Sequence, residues 1–268
     1  MVGGNGETGG NEDTNEEPEP PEEIIPETED YVGYYADMEG DGTVDGIIFA
    51  DMAVGNTGDG QWNNDWGKYE IPVKDNLKEY TISKEKYNDD FGENYVISPK
   101  KGTTGNERFY IMALDDFNDE NGPRYCWYDA AAGKLDNIIE HTVNDFGQGK
   151  ANTIAMIANW NKGANGGYGP QDDNGTYKDM WGVIQTSVGN IENPTWFVPS
   201  KSEWAAFGEE LGLNQGNYAN YGLSDWYWSS AQSNAGNAYC ANFQRRLHGL
   251  RPRVQQALRA SCGDFLIL

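Results

Sequence analysis

Short apolar runs separated by clusters of Gly, Asn and Asp set the pattern of the chain between residues 46 and 228. Runs of this length, bounded by turn residues, are typical of short β-strands. The predicted strands cover residues 46–50, 95–97, 108–113, 196–198 and 227–228. A long Gly-rich loop is predicted over 161–178, where the apolar pattern stops.

Residues 200–203 (SKSE) predict a helix start, because Ser200 can accept the amide proton of Glu203 while the Glu203 carboxylate accepts from the Ser200 amide. Trp204, Phe207 and Leu211 then fall on one face at helical spacing, and Gly212 is a suitable residue just past the helix end.

A second helix is predicted over 151–160, and a weaker one over 134–141. The apolar face of the second helix is made of Ile154, Ile157 and Trp160, with Met156 and Ala158 beside them. Few helices, many short strands and long loops together predict an α+β fold with much irregular structure.

The first 30 residues carry eleven acidic side chains and no basic one, and they contain few aliphatic residues. Such a segment buries too little apolar area to offset its ordering entropy. We therefore predict a disordered acidic linker over 1–30 and a single folded domain over 31–268. The start of the chain shows no signal peptide. A lipoprotein whose signal and lipidated Cys were replaced by a start Met would begin in this way, as would a fragment of a longer chain.

The formal net charge is −24. A charge this negative argues against nucleic acid as a partner, since phosphate binding needs a broad basic surface. It also argues against adsorption to anionic membranes, and no run of 18 apolar residues exists that could span a membrane. The three cysteines, Cys126, Cys240 and Cys262, match no zinc-site spacing, and one disulfide with one unpaired thiol is left open.

Residues 37–45 (DMEGDGTVD) place oxygen ligands at alternate positions, with a glycine where a Ca²⁺ loop turns sharply. The candidate ligands are Asp37, Glu39, Asp41 and Asp45. Position 12 of such a loop would be Ile48 rather than Glu, so the segment is not an EF-hand. Two interpretations stay open, a bound Ca²⁺ ion and an Asp/Gly turn that leads into the next strand. No other cofactor is predicted.

An enzyme is not predicted. The two histidines, His141 and His248, lie far apart in sequence, and neither has a neighbouring nucleophile motif. Carboxylates are too numerous to single out an acid/base pair.

The end of the chain has a different composition. After Lys201 no lysine follows, and five of the seven arginines lie between residues 245 and 259. Residues 228–268 therefore carry a net charge of +4, whereas the rest of the chain is acidic. Residues 244–253 follow neither a strand period nor a helix period. A basic surface strand would explain this composition, and so would a recognition surface built from Arg, Tyr and Trp side chains.

The ordered set of residues 40–51, 180–185, 196–207 and 227–230 (GDGTVDGIIFAD, MWGVIQ, WFVPSKSEWAAF, YWSS) resembles the variable proteins of diversity-generating retroelements. The resemblance is to the lectin-fold type of gut anaerobes and their phages, related in fold to the phage major tropism determinant, and it covers about residues 31–268. Some of these pieces also occur in formylglycine-generating-enzyme-like domains. That chemistry uses a close cysteine pair, whereas Cys240 and Cys262 are far apart.

The resemblance implies a C-type-lectin-like fold and a variable region at about 228–268. In the family, a reverse transcriptase copies a template with errors at adenines, and the copy replaces the 3′ end of the gene. Asn codons then become Ser, Gly, Tyr, Cys, Arg, Leu, His, Pro or Ala codons, but never Lys, Glu or Trp codons. Residues 233–253 contain none of the last three types. Gln244 does not fit such a codon, and residues 258–265 carry extra residues where the family is expected to end on Phe.

The resemblance identifies the predicted ligand surface, which rests on a core of Trp204, Phe207, Trp226, Trp228 and Phe243. The predicted ligand-binding residues are Ser233, Asn234, Asn237, Tyr239, Cys240, Arg245, Leu247, His248, Leu250, Arg251 and Arg253. Their positive charge predicts an acidic protein or glycan ligand on another cell or virus. The expected location is extracellular, on a cell surface as a lipoprotein or pilus component or on a phage virion, with multivalent display. The alternative is a fixed-sequence, Ca²⁺-dependent carbohydrate-binding lectin, although its usual Glu-Pro-Asn and Gln-Pro-Asp motifs are absent.

Overall fold

The computed structural model describes residues 23–59, 68–87, 93–114, 125–127, 142–161, 178–186, 188–223, 226–234, 237–243 and 251–252. The helices in this part of the chain are α1 (Gly149–Asn161), α2 (Met180–Ile184) and α3 (Lys201–Glu210), with a 3₁₀ helix at Tyr218–Tyr221. The strands are β1 (Glu23–Ile24), β2 (Tyr34–Ala36), β3 (Gly46–Asp51), β4 (Asn56–Gly58), β5 (Tyr69–Ile71), β6 (Tyr80–Lys86), β7 (Glu93–Pro99), β8 (Phe109–Ala113), β9 (Tyr125–Cys126), β10 (Lys178–Asp179), β11 (Trp226–Asn234), β12 (Asn237–Asn242) and β13 (Arg251–Pro252).

The larger sheet has the strand order β1-β6-β7-β2-β3-β8. The β2–β7 pair is parallel and the other pairs are antiparallel. A second sheet has the order β11-β12-β13, and two small pairs join β4 to β5 and β9 to β10. The described residues therefore form a mixed α+β fold, as the sequence predicts.

Strand β3 lies in the middle of the core, and all six of its residues are buried. Because side chains alternate across a strand, Ile47 and Phe49 point to one face and Ile48 to the other. The close approach of β8 explains Gly46, since a Cβ there would lie 2.3 Å from the carbonyl oxygen of Met112. A strand buried on both faces carries no polar alternation, which is why 46–50 forms a continuous apolar run.

Three groups of buried residues cover the two sheets. The α3 cluster surrounds Trp204 and Phe207 and includes Ile47, Phe49, Phe197, Tyr227, Ala241 and Phe243. The α1 cluster contains Trp127, Met156, Ile157, Met180, Trp181, Ile184, Val188, Val198, Trp228 and Ala238. The N-terminal cluster contains Ile25, Tyr31, Ala36, Ile48, Tyr80, Ile97, Phe109 and Ile111.

The capping box predicted at residues 200–203 is confirmed. The Ser200 hydroxyl accepts from the Glu203 amide (3.2 Å), and the Glu203 carboxylate accepts from the Ser200 amide (2.5 Å). Gly212 follows the helix with φ +61°, a left-handed conformation that suits glycine. Trp204 and Phe207 are buried, and Leu211 is partly buried against the same cluster.

Helix α1 forms where it is predicted and extends one to two residues further at each end. Its buried face, however, is Gly149, Asn152, Thr153, Met156, Ile157 and Asn159. The predicted face is therefore partly wrong: Ile154 and Trp160 are only partly buried and Ala158 is exposed. The reason is that the polar side chains of Asn152 and Thr153 form hydrogen bonds inside the fold. Asn152 bonds to the backbone of Val143, and Thr153 bonds to the backbone of Val198.

The strand predicted over 196–198 is reduced to an isolated β-bridge at Phe197, although Phe197 and Val198 are both buried. The amide of Val198 donates to the Thr153 hydroxyl (3.0 Å), so a side chain of α1 takes the hydrogen bond that a neighbouring strand would accept. The predicted strands at 46–50, 95–97 and 227–228 are confirmed within β3, β7 and β11, and the strand predicted at 108–113 is confirmed as β8, which begins one residue later. The helix predicted at 134–141 and most of the loop predicted at 161–178 lie outside the described residues.

The boundary predicted for the disordered linker, residue 30, is wrong. Strand β1 pairs with β6, and Ile25 is buried in the N-terminal cluster. The Arg108 guanidinium donates to the carbonyls of Pro26 (3.2 Å) and Glu29 (2.8 Å). Residues 23–30 are thus part of the domain, held by a side chain that lies about eighty positions further along the chain. Residues 1–22 lie outside the described part.

Candidate functional site at the C-terminal hairpin

The β11–β12 hairpin begins the predicted variable region, and core residues cover both of its faces. In the hairpin register Tyr227 pairs with Ala241 and Trp228 pairs with Cys240. The first pair packs into the α3 cluster, whereas Trp228 lies in the α1 cluster with Cys240 against it. The strands therefore form a central layer of the molecule rather than a surface flap.

Side-chain hydrogen bonds also hold the backbone of β11. The indole Nε1 of Trp204 donates to the carbonyl of Trp228 (3.2 Å), and that of Trp127 donates to the carbonyl of Ser229 (2.8 Å). Further along, the amide of Ser230 donates to the Pro199 carbonyl (2.8 Å). These bonds come from three different segments, so contacts other than the pairing with β12 also help to fix the position of the strand.

The middle of β11 departs from a regular ladder. Register shifts separate Trp228 from Gln232 and Gln232 from Asn234. Within this irregular stretch the amide of Gln232 donates to the Thr142 hydroxyl (3.0 Å). The side-chain amide of Gln232 is buried, yet among the described residues neither of its polar atoms has a hydrogen-bond partner. Buried polar groups without partners are rare and costly, and this one lies next to the predicted ligand surface.

Several predicted ligand residues come together at the tip of the hairpin. Asn234 pairs with Asn237, directly after the partly buried Ser233. Strand β13 runs alongside, with Arg251 paired to Ala238 and Pro252 to Asn237. The backbone positions of these residues are therefore adjacent, although they come from two separate parts of the sequence.

Tyr239 and Cys240 are separated onto opposite faces, because neighbouring strand residues alternate. The Lys201 ammonium lies 4.7 Å from the Tyr239 ring centroid, a cation–π contact at the start of α3. Burial lowers the pKa of Lys201. Cys240 is partly buried on the other face against the α1 cluster. Of the two, Tyr239 lies beside a charged group, whereas Cys240 lies against apolar side chains.

The remaining predicted ligand residues, Arg245, Leu247, His248, Leu250 and Arg253, lie outside the described residues, as do His141, Gln244 and Cys262. The predicted core beneath the surface is confirmed for Trp204, Phe207, Trp228 and Phe243, which are all buried. Trp226 is only partly buried, against the α1 cluster.

Sequence reasoning missed Lys201, Trp127 and Thr142 as residues that contact the hairpin. Lys201 lies 38 positions before Tyr239, and its neighbours predict only a helix start. Trp127 and Thr142 bind the backbone of β11 from about ninety to a hundred positions away. No local pattern marks a partner at such distances.

The candidate metal loop is held by its own backbone. The Asp37 carboxylate accepts from the amides of Gly40 (2.7 Å), Asp41 (3.2 Å) and Gly42 (2.8 Å). The Asp45 carboxylate accepts from the Met38 amide (2.6 Å). These are the bonds of an Asp/Gly turn, the second interpretation that the sequence leaves open. The described residues contain no group of three or more His, Cys, Asp or Glu side chains that could hold a metal ion. Calcium binding stays a prediction.

Within the part of the chain that the structure describes, no helix has the length and apolar character needed to cross a membrane. Comparisons of the chain with protein-family models, with curated proteins and with solved structures found no match.

Proposed function

We propose that this chain is a ligand-binding protein displayed on a cell surface or a virion, with a C-type-lectin-like fold and a variable C-terminal region at about 228–268 that a retroelement diversifies. The observation that carries the proposal is the hairpin itself. Its strands are fixed by buried Trp and Tyr side chains on both faces, while its tip joins residues of two segments.

The anchoring of β11 supports a role in variable binding. A surface that changes its side chains needs a backbone whose stability comes from elsewhere. Here the bonds from Trp204, Trp127 and the Pro199 carbonyl do not involve the side chains of the tip. Substitutions on a surface away from such features usually change stability by no more than about 0.5 kcal/mol.

Charge supports an acidic ligand for this sequence. The region 228–268 has a net charge of +4 on a chain whose total is −24. Arg251 is placed beside the hairpin tip by β13, and Arg245, His248 and Arg253 are its predicted companions. An arginine fork binds carboxylates with two parallel hydrogen bonds. We propose an acidic protein or glycan on another cell or virus, bound weakly at each site and strengthened by multivalent display.

Sequencing of this gene and its downstream flank from many cells of one population tests the diversification. We expect substitutions concentrated between about residues 233 and 258, each traceable to an adenine in a nearby template repeat, and a reverse transcriptase gene close by. An invariant 3′ end without a repeat would contradict the proposal. The fixed-sequence lectin would then be tested on glycan arrays with and without Ca²⁺, where binding lost on chelation would support it.

A further inference from the structure

A cavity of about 300 Å³ is lined by residues outside the hairpin. It is bounded by the loop that contains Met38 and Asp45, by Lys150 near the start of α1, and by the segment from Asn193 to Trp196. All of these residues precede the predicted variable region. A ligand site here would therefore keep the same side chains while the hairpin tip changes.

One pair of charges on the cavity wall is already neutralised. Lys78 forms an ion pair with Glu107, and the second carboxylate oxygen of Glu107 accepts from the Tyr80 hydroxyl (2.9 Å). The charges of Lys78 and Glu107 are therefore neutralised within the protein, and neither requires a charged group of a ligand.

The other charges on the wall are not paired with each other. Lys150, Glu39 and Asp45 all line the cavity. Among the residues that the structure describes, the ion pairs involve Lys68, Lys78, Lys100 and Arg108 as cations, so Lys150 is in none of them and neither Glu39 nor Asp45 has a cationic partner. Opposite charges thus line one small cavity without forming an ion pair with each other.

The acidic side of the cavity favours a cation. Asp45 is partly buried and lies near the carboxylates of Asp37 and Glu39. Burial raises the pKa of Asp45, and the two neighbouring carboxylates raise it further. A positive group placed beside Asp45 and Glu39 would offset that repulsion.

Part of the wall is apolar. Trp196 is partly buried between two of the core clusters, and the buried Phe109 also lines the cavity. Pro99 and Pro194 complete this side. Pockets of this size that combine an apolar wall with a few polar groups are typical of small-ligand sites.

We propose that this cavity binds a small zwitterion of amino-acid size, with its ammonium group against Glu39 and Asp45, its carboxylate against Lys150 and its side chain against Trp196. A zwitterion supplies both charges that the wall leaves unpaired, and it adds no net charge. A ligand with only one of the two groups satisfies only one side of the cavity. No residue of the hairpin lines the cavity, so the proposed amino-acid site and the proposed function can each be correct or wrong without the other.

Isothermal titration of the full chain with L-leucine tests the proposal, with N-acetyl-L-leucine and L-leucinamide as probes that lack the ammonium charge and the carboxylate respectively. We expect L-leucine to bind with a Kd of about 1 mM or tighter. Each derivative should bind at least about tenfold more weakly, because each lacks one of the two charges that the wall complements. Phenylalanine and alanine replace leucine in parallel titrations to vary the group placed against Trp196.

Two variants assign the contacts. Lys150→Gln should weaken L-leucine binding at least about tenfold and abolish the preference for leucine over leucinamide. Glu39→Gln should weaken binding and reduce the preference for leucine over N-acetyl-leucine. Lys74→Gln and Asp75→Asn are matched controls at exposed positions outside the cavity, and they should bind L-leucine as the parent does.

The proposal is overturned if none of the three amino acids binds at concentrations up to about 10 mM. It is also overturned if N-acetyl-L-leucine and L-leucinamide bind as well as L-leucine, since the cavity would then select only the apolar group. Binding that Lys150→Gln and Glu39→Gln leave unchanged would place the ligand elsewhere. The urea midpoint of each variant shows that the protein remains folded.

Discussion

Single buried polar side chains connect distant parts of this chain. Arg108 is almost fully buried, and its Nε and Nη2 atoms each donate to the Asp51 carboxylate at 2.8 Å. Its remaining donors reach the carbonyls of Pro26 and Glu29. One side chain thus fixes the end of β3 and the segment that precedes β2, which is why residues 23–30 belong to the domain despite their acidic composition.

Replacing Arg108 tests this role. Arg108→Ala leaves Asp51 buried without a counter-charge, so we expect the free energy of unfolding to fall by about 3–5 kcal/mol. Urea denaturation followed by Trp fluorescence gives the value. The double variant Arg108→Ala with Asp51→Ala should recover part of the loss, because it removes the unpaired carboxylate as well.

The control for that measurement is Lys74→Ala, at an exposed position where a change within about 0.5 kcal/mol is expected. Limited proteolysis reports on the N-terminal segment, which should be cut near residues 23–30 faster in Arg108→Ala than in the control. An Arg108→Ala protein with unchanged stability would show that the ion pair and the carbonyl contacts contribute nothing net.

Helix α3 joins several segments through one residue, Glu203. This residue is fully buried at the third position of the helix. Besides the Ser200 amide, its carboxylate accepts from the amides of Gly147 (3.0 Å) and Gly149 (3.3 Å), just before and at the start of α1. The capping box is therefore also the junction between two helices.

This junction gives α3 a pH dependence. Burial raises the pKa of Glu203 from 4.5 to about 7, against the opposing effect of the amide hydrogen bonds. A raised folded-state pKa means that the folded protein holds this proton more tightly than the unfolded chain does. Its contribution to stability is present in full below about pH 4.5 and is lost as the pH rises to about 7. The loss amounts to about 3 kcal/mol.

The variant Glu203→Gln isolates that contribution, since an amide does not titrate. We expect the free energy of unfolding of the parent, relative to Glu203→Gln, to decrease by about 3 kcal/mol between pH 4 and pH 8. Urea denaturation at each pH gives the difference. Glu192→Gln, at an exposed position, serves as the control. Parallel pH profiles for the parent and Glu203→Gln would contradict the shifted pKa.

At the scale of helices and strands, the sequence predicts the elements that depend on local contacts better than those that depend on distant ones. The start of α3 follows from residues 200–203, because a capping box is a local interaction. The strand predicted at 196–198 is reduced to a single bridge at Phe197, and the amide of Val198 donates instead to Thr153, 45 positions away. The boundary at residue 30 fails for the same reason, since Arg108 is distant in sequence. Periodicity and composition report on neighbours along the chain, whereas these contacts depend on the tertiary fold.

At the scale of the whole molecule, the same limit applies to the candidate site. The buried residues beneath the hairpin are large and apolar, so their role is visible in the sequence. The contact of Tyr239 with Lys201 and the bonds from Trp127 and Thr142 to β11 are not, because they join separate elements. In the described part of the C-terminal hairpin, the base of the strand pair is held from both faces by the α3 and α1 clusters. The proposed function assigns binding, and not stability, to the tip.

This division of roles leads to a prediction about stability across the molecule. Trp228 is buried in the α1 cluster, only 3% exposed, so Trp228→Ala should lower the free energy of unfolding by about 3–5 kcal/mol. If the tip is a variable surface as proposed, a combined variant, Ser233→Tyr with Asn234→Ser and Asn237→Tyr, should cost much less, no more than about 0.5 kcal/mol for each substituted residue. Urea denaturation with unchanged m-values would show that both effects act on stability and not on the compactness of either state. A tip variant that costs as much as Trp228→Ala would mean that the hairpin depends on its own tip side chains. The scaffold could not then tolerate a changing surface there, and the diversified binding role would lose its physical basis.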